Sequence, residues 1–449
     1  MPALTKTIFE FGYIVSSITS PSLGCCVISA KSFDWLEKQC LKQDEEHRKL
    51  LRYCTHKGVK AFQVQNYVGV ISTPYGEQIE VLPKIVRTAK NDSDQEDTDQ
   101  EDSSRKSFLN MLRHLKQFRN IESSDSMISA HKMPLLEVFI RQFLLSVNTL
   151  VKRGLRSDYK RVEENQTFLK GRLLVAKQLR HNLVNQHKFY VEYDEFLPDR
   201  PVNRLLYSAL AKVASFAKTN INQKLCRELM FAFADVPKST DIKSDFSAMK
   251  LGRGMDMYDS PIAWAKLILS GDSPLSMNGK SSAISLLFPM EAIFESYVAS
   301  ILRKQLKQEY SLKEQIRSET LVKHKGENWF RLKPDLTLHV GNEKAPVCVM
   351  DTKWKLLDAS KGNSTKKYGL SQLDFYQMFA YGHKYLKGVG VLILIYPRTE
   401  NFSEPIQDEF IFSDSGDGLR LYVLPFDVSD SCDDSKRLLH SGKLDGYFS

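Results

Sequence analysis

Two aspartates and a lysine near the end of the chain have types and spacing suited to phosphodiester chemistry. They stand in RLKPDLTLHVGNEKAPVCVMDTKWK, as Pro334-Asp335 and Asp351-Thr352-Lys353. Both acids fall in runs that alternate or concentrate apolar residues, the pattern of half-buried and buried strands. Gly341-Asn342-Glu343-Lys344-Ala345 reads as the turn between them. A hairpin centred on Glu343 sets Asp335 across from Asp351, with Cβ atoms roughly 4.5–5.5 Å apart. Lys353 projects from the same face as Asp351. Two carboxylates and an ammonium over one patch of sheet suit a divalent metal holding a phosphodiester.

Asp-x-Lys alone is a weak signal, since it also occurs at Asp241-Ile242-Lys243 and Asp434-Ser435-Lys436. Those copies sit among Ser, Asp and Lys, as solvated loops do. Only the 351–353 copy follows a buried-looking strand, Val347-Cys348-Val349-Met350, and has a Pro-Asp strand upstream. The competing reading is a cross-strand salt-bridge cluster. It is weakened because directly opposed acids repel unless a cation sits between them. The expected chemistry is Mg²⁺ held by Asp335, Asp351 and the backbone carbonyl of Thr352, as one ion or two. Lys353 would position the attacking water and offset charge growing on the phosphate.

The flanking segments supply a frame. Ser371-Gln372-Leu373-Asp374 resembles a capping box that opens a helix to about Lys387, with Gln377 and Tyr381 sharing a face. Val389–Ile395 is nearly continuously apolar and reads as a strand covered on both faces, parallel to the 346–353 strand through the helical crossover. Upstream, 284–304 has helical apolar spacing, with Glu291 and Glu295 beside the stripe. The predicted order is helix, β-hairpin, helix, strand, a small α/β sandwich with its acidic cluster at the sheet. Trp354 and Lys355, just past the site, are candidates to touch DNA, and core packing explains Trp354 equally well.

Helix Glu, PD, DxK and QxxxY together resemble the PD-(D/E)xK nuclease superfamily in its RecB-like version. The DTKWK strand end, the DFYQMFAY helix, NYVGVISTPYGEQIEVLPKI (66–85) and LKGRLLVAKQL…FYVEYDEFLPDRPVNRLLYSAL (169–210) resemble the McrC family. Members of that family are nuclease subunits of McrBC 5-methylcytosine-dependent restriction systems. The resemblance implies a Mg²⁺-dependent endodeoxyribonuclease with a restriction-endonuclease-like domain, cleaving methylated double-stranded DNA in defence against foreign DNA. It implies a partner, a hexameric McrB-type AAA+ GTPase that binds the GTP, reads the modified base and is stimulated by this chain. It also favours Glu295 over Glu291 as the acid completing the metal shell. Two alternatives stand beside it: a catalytically silent GTPase-activating subunit, and a stand-alone RecB-like repair nuclease.

Composition agrees with a soluble multidomain protein. The 449 residues are 42% hydrophobic and 26% charged. The net charge of +9 conceals an acidic run, NDSDQEDTDQEDSS at 91–104, with seven acids and no base, so the remainder stands at +16. A basic body suits a polyanionic partner. The seven cysteines show no CxxC or Cys/His spacing and read as reduced thiols. No charged-then-apolar leader opens the chain and no apolar run approaches membrane-spanning length, so a cytoplasmic protein is expected.

The domain reading is a β-rich, partner-docking module at 1–90, an acidic flexible linker at 91–106, a mainly helical middle domain at 107–275 and the α/β nuclease domain at 280–449. In the first module, a helix is expected around 33–53, and 63–70 and 78–86 form a hairpin about Pro74-Tyr75-Gly76. In the middle domain, helices are expected over 108–119, 135–152, 203–217, 226–233 and 260–269. Residues 159–168 and 189–196 are expected as strands, and Lys170-Gly171-Arg172 should open a helix to about Asn182. Lys170, Arg172, Lys177, Arg180 and His181 form a basic cluster near Arg200 and Arg204, with Lys160 and Arg161 candidates for the same surface. It is either a solvated face laced with ion pairs or a set of phosphate contacts for DNA.

Overall fold

The computed structural model describes residues 5–17, 24–41, 50–84, 94–115, 133–249, 252, 254–270, 285–361, 367–412, 418–429, 432–440 and 442–448. It is a mixed α/β protein whose chain falls into two compact units. One is drawn from residues up to 119 and again from Leu287 onward; the other is essentially 133–286.

In the first unit, Thr5–Phe9 lies parallel to Gln78–Leu82, which pairs antiparallel with Tyr67–Ser72. The turn closes through Thr73 N–H to the Glu77 carbonyl at 2.9 Å, so the expected hairpin forms. Its first arm is Tyr67–Ser72, since Gln63 and Val64 end the strand Val59–Val64 of another sheet, and its second arm is Gln78–Leu82, with 85–86 outside the described residues. A second sheet orders Cys25–Val27, Tyr13–Val15, Val59–Val64 and Leu51–His56. The helix expected over 33–53 is Ala30–Leu41, and Leu51–His56 is extended instead, laddered to Val59–Val64. Residues 42–49 lie outside the described set.

The 1–90 and 280–449 segments, separate in the sequence reading, share this unit. Leu286–Pro289 joins the edge of the Tyr67–Ser72 strand and runs straight into the helix Met290–Gln305. That helix was expected to start near residue 284. Pro289 forces its predecessor toward extended backbone and sits as the N-cap, which places the start at Met290. The acidic stretch read as a linker is helical over Asp94–Leu112. Charge did not exclude a helix here because its C-terminal half carries an apolar face, with Phe108, Met111 and Leu112 buried, to anchor it.

The same unit holds a six-stranded sheet in the order Tyr310–Glu314, Leu336–Val340, Cys348–Thr352, Gly390–Pro397, Leu419–Phe426, Phe410–Ile411. Its first two pairings are antiparallel, and Cys348–Thr352, Gly390–Pro397 and Leu419–Phe426 run parallel. The helix Gln372–Tyr385 makes the crossover and packs Met378, Tyr381 and Tyr385 on Val349, Leu392, Leu394 and Leu421. Gly382 permits the close approach, since a Cβ there would lie 2.7 Å from Leu419 Cδ1. Elsewhere on the sheet, Phe294 and Tyr297 of Met290–Gln305 set their rings edge-on to Phe426, with centroids 5.9 and 5.7 Å away.

The second unit is led by helices Leu135–Arg153, Pro201–Ala214, Asn220–Ala232 and Asp259–Ser270, and by a ribbon of Asp158–Gln166 against Phe189–Leu197. The helix expected to open at Lys170 does not. Arg172–Leu173 pairs with Val191 and Glu192 as a strand, and the helix is Val175–His181. Gly171 explains this: its φ is +71, a left-handed conformation open to glycine, and a Cβ would lie 2.5 Å from the Glu192 carbonyl oxygen.

Candidate active site

The strands Leu336–Val340 and Cys348–Thr352 pair Leu336 with Met350, Thr337 with Val349 and Leu338 with Cys348. Asp335 stands one step before Leu336 and Asp351 one step after Met350, so the register sets them across from each other. Asp335 is held by the neighbouring strand: Thr352 donates to its Oδ2 from both the backbone N–H at 2.8 Å and Oγ1 at 2.7 Å. The threonine hydroxyl is a contact that sequence reasoning missed.

Asp351 is 1% exposed. Its Oδ2 lies 2.7 Å from Lys353 Nζ and its Oδ1 accepts from Gln377 Nε2 at 3.3 Å. Lys353 Nζ also donates to Gln377 Oε1 at 2.9 Å, so one amide bridges acid and ammonium. Gln377 donates in turn to Tyr381, whose hydroxyl donates to the Lys333 carbonyl at 2.9 Å. The i, i+4 pair on the crossover helix therefore spans from the acid to the segment that leads into Asp335. Burial pushes the Asp351 carboxyl up and the Asp335 charge adds to this, against the opposing pull of Lys353. For Lys353, burial is the largest single effect and works downward. The charge and hydrogen bond of Asp351, with the charges of Asp374 and Asp335, together outweigh it and hold the ammonium above its ordinary value.

Glu291 and Glu295 diverge. Glu295 accepts from Gln315 Nε2 at 2.7 Å and is pushed up to about 7, by burial first and by the Asp335 charge second. Glu291 accepts from Asn66 Nδ2 at 3.2 Å, and its charge acts on Glu10. Of the two, Glu295 shares the electrostatic environment of Asp335. The three carboxylates are nonetheless not gathered as a cage; among the described residues no group of three or more His, Cys, Asp or Glu is so arranged. Each is drawn instead to a donor of its own: Asp335 to Thr352, Asp351 to Lys353 and Glu295 to Gln315. The donors still fit a hard divalent cation. They are oxygen ligands, and burial and the Asp335 charge push the Asp351 and Glu295 carboxyls up, a repulsion that a cation would relieve.

The remaining predicted residues have other partners. Trp354 is core: it is 7% exposed, its ring meets Phe294 edge-on, and Nε1 donates to Glu10 Oε2 at 2.9 Å. Lys355 donates to the Gly369 carbonyl at 2.7 Å. The capping box at Ser371 is not made. Ser371 is the N-cap without a side-chain bond, and the Asp374 carboxylate accepts from the buried Tyr396 hydroxyl at 3.0 Å. In the second unit, Lys177 pairs with Glu163, Lys170 reaches Glu195 at 4.0 Å and Arg172 reaches Glu192 at 3.9 Å. Arg180 is exposed on its short helix. Lys160, Arg161, Arg200 and Arg204 also meet carboxylates. Carboxylates thus partner most of this cluster.

By fold and site, then, this is a mixed α/β protein presenting two facing aspartates and a tethered lysine at the end of a buried strand. The chain belongs to the family described as McrBC 5-methylcytosine restriction system component, whose model matches residues 62–397. Among solved structures, it is similar to a chain of the refined half-complex from a tetradecameric assembly of Thermococcus gammatolerans McrB AAA+ hexamers with bound McrC. That similarity has a TM-score of 0.64 at 18% identity, over 96% of this chain and 98% of that one. It is also similar to a chain of the cryo-EM structure of the Thermococcus gammatolerans McrBC complex, with a TM-score of 0.46 at 20% identity, over 67% of this chain and 87% of that one. No curated protein matches it. Among the described residues no helix is long and apolar enough to cross a membrane.

Proposed function

We propose that this chain is the DNA-cutting subunit of a modification-dependent restriction system. In this reading it is a magnesium-dependent endodeoxyribonuclease that hydrolyses methylated DNA when assembled with, and stimulating, a McrB-type AAA+ GTPase hexamer. The observation that carries it is the meeting of Asp335 and Asp351 across the hairpin, with Lys353 tied to Asp351 and Gln377. Family membership and the fold shared with a chain of the McrB–McrC assembly support it.

Asp335, Asp351 and the Thr352 carbonyl would hold the metal, with Glu295 as the further acid. When bound, magnesium supplies Lewis acidity toward the phosphodiester and a source of hydroxide near neutral pH. The chain's own groups do the positioning. Thr352 fixes the Asp335 rotamer through two hydrogen bonds. Gln377 bonds both Asp351 and Lys353, so the ammonium is aimed before substrate arrives. Lys353 then orients the attacking water and offsets charge that develops on the phosphate.

The test mixes the full chain with a McrB-type partner, GTP, Mg²⁺ and methylated or plain plasmid. Cutting of methylated plasmid alone, and only with GTP, is expected, and Asp351→Ala should abolish it. GTPase stimulation without cutting would identify a silent regulatory subunit. Cutting of plain plasmid without the partner would identify a stand-alone nuclease.

A further inference from the structure

Immediately before Asp335 the chain throws out a two-stranded ribbon, Thr320–His324 against Glu327–Arg331, that belongs to no larger sheet. Lys325 and Gly326 make its turn with φ of +49 and +85, the two left-handed positions of a tight hairpin. Nine of its ten strand residues are exposed. An isolated hairpin gains little from its own packing, so apolar side chains kept in solvent on it mark an interaction surface. Trp329 is 48% and Phe330 67% exposed, with Leu321 and Val322 opposite. Phe330 is held at φ +57, a costly conformation for a bulky aromatic residue.

The charge on this ribbon is mostly positive. Residues 320–333 carry Lys323, Lys325, Arg331 and Lys333 against a single acid, Glu327. Lys323, Lys325 and Arg331 form no ion pair with a carboxylate among the described residues, in contrast to Lys170, Arg172 and Lys177, whereas the charge of Lys333 acts on Glu295. The base of the ribbon is pinned by the helix that carries Gln377. Tyr381 donates to the Lys333 carbonyl and Tyr385 to the Leu332 carbonyl, both at 2.9 Å. Leu332 N–H closes the base on the Glu319 carbonyl at 3.0 Å. Whatever the ribbon grips is thereby held in fixed relation to Asp335 and Asp351.

We infer that this ribbon enters a groove of duplex DNA, its cations on the backbone phosphates and Trp329 and Phe330 against the bases, and so fixes which phosphate reaches the site. A two-stranded ribbon fits the major groove, where aromatic side chains can make apolar contact with base edges, and unpaired cations are the footprint of a polyanion. The inference rests on the DNA-cutting reading above and deepens it.

The test measures binding of the full chain to a labelled duplex at several salt concentrations. Lys323→Ala/Lys325→Ala/Arg331→Ala should weaken binding about tenfold or more and lower the slope of log affinity against log salt by about 0.9 per lost phosphate contact. Trp329→Ala/Phe330→Ala should weaken binding at least about fivefold with the slope unchanged. All five side chains face solvent, so melting of the chain should stay at the wild-type temperature. Phe330→p-benzoylphenylalanine, irradiated in the complex of chain, GTPase partner and DNA, should cross-link to a DNA strand. Cross-linking to protein alone would make the ribbon a subunit contact and overturn the inference. Affinities within twofold of wild type in both sets, an unchanged slope in the triple variant, or no duplex binding by the wild-type complex would also overturn it. The two readings fail separately: Asp351→Ala that still cuts sinks the nuclease site alone, whereas ribbon variants that bind normally sink the ribbon alone.

Discussion

Glu10 is a buried acid far from the site in sequence, and its titration should be visible in the stability of the whole protein. It is 2% exposed and accepts from Trp354 Nε1 at 2.9 Å and from Lys84 N–H at 3.2 Å, both on Oε2, while Oε1 has no hydrogen-bond partner among the described residues. Burial pushes its carboxyl from 4.5 up to about 8, against the pull of those two donors. The folded protein therefore keeps a proton that the unfolded chain releases between these values. Stability from this group is fully present below pH 4.5, falls by about 1.4 kcal/mol per pH unit above it, and is lost once pH passes about 8. The full swing is about 5 kcal/mol. Glu10→Gln keeps an acceptor for Trp354 and Lys84 and cannot ionise. It should cost about 1–3 kcal/mol at pH 5, because an amide NH₂ with two donors replaces the single O–H on Oε1, which has no partner among the described residues. By pH 8.5 it should be the more stable form. Urea denaturation of both proteins at pH 5, 7 and 8.5, followed by tryptophan fluorescence, gives the difference directly, and other titrating groups cancel between them. Parallel pH curves, with a constant gap between wild type and variant, would refute the reasoning.

Four further variants test the site and the fold. Asp351→Ala should remove plasmid cleavage by at least about a thousandfold with an unchanged circular dichroism spectrum, and Lys353→Ala should do likewise while still taking up Mg²⁺ in a calorimetric titration. Gln377→Leu removes the bridge between Asp351 and Lys353 and should slow single-turnover cleavage about 10- to 100-fold, the usual cost of losing a group that orients ligands. Gly171→Ala should lower stability by more than about 1 kcal/mol, read as a lower melting temperature, since the added Cβ meets the Glu192 carbonyl at a left-handed φ.

The parts of this protein that a sequence reveals are those whose determinants are close in the chain. The 336–352 hairpin is one: its alternation, its turn and its two acids lie within one short stretch, so the register that sets Asp335 across from Asp351 could be read before any coordinates. The crossover helix and the buried strand after it are equally local, and Gln377 and Tyr381 share a face by periodicity alone. Where local rules failed, a distant partner had won. Asp374 has the spacing of a capping acid, yet its carboxylate goes to Tyr396 on the next strand. Arg172 looked like the start of a helix until the Phe189–Leu197 strand supplied a ladder and Gly171 a sharp entry.

The Glu10–Trp354 contact is the extreme case. It joins positions 344 residues apart and buries an acid, which no propensity or pattern favours. Its place in the fold explains why it can persist. Trp354 follows Lys353 directly, and Glu10 follows the Thr5–Phe9 strand of the N-terminal sheet. The last turn of chain after the site is thus fastened to the sheet closed by Leu286–Pro289, the strand that launches the helix carrying Glu295. The helix carrying Glu295 and the chain just past Lys353 are therefore both tied to the N-terminal sheet. A truncation that removes the first 90 residues should for that reason disturb the acidic site as well as any docking function, although the sequence of that segment shows no paired-acid motif and no glycine-rich phosphate loop.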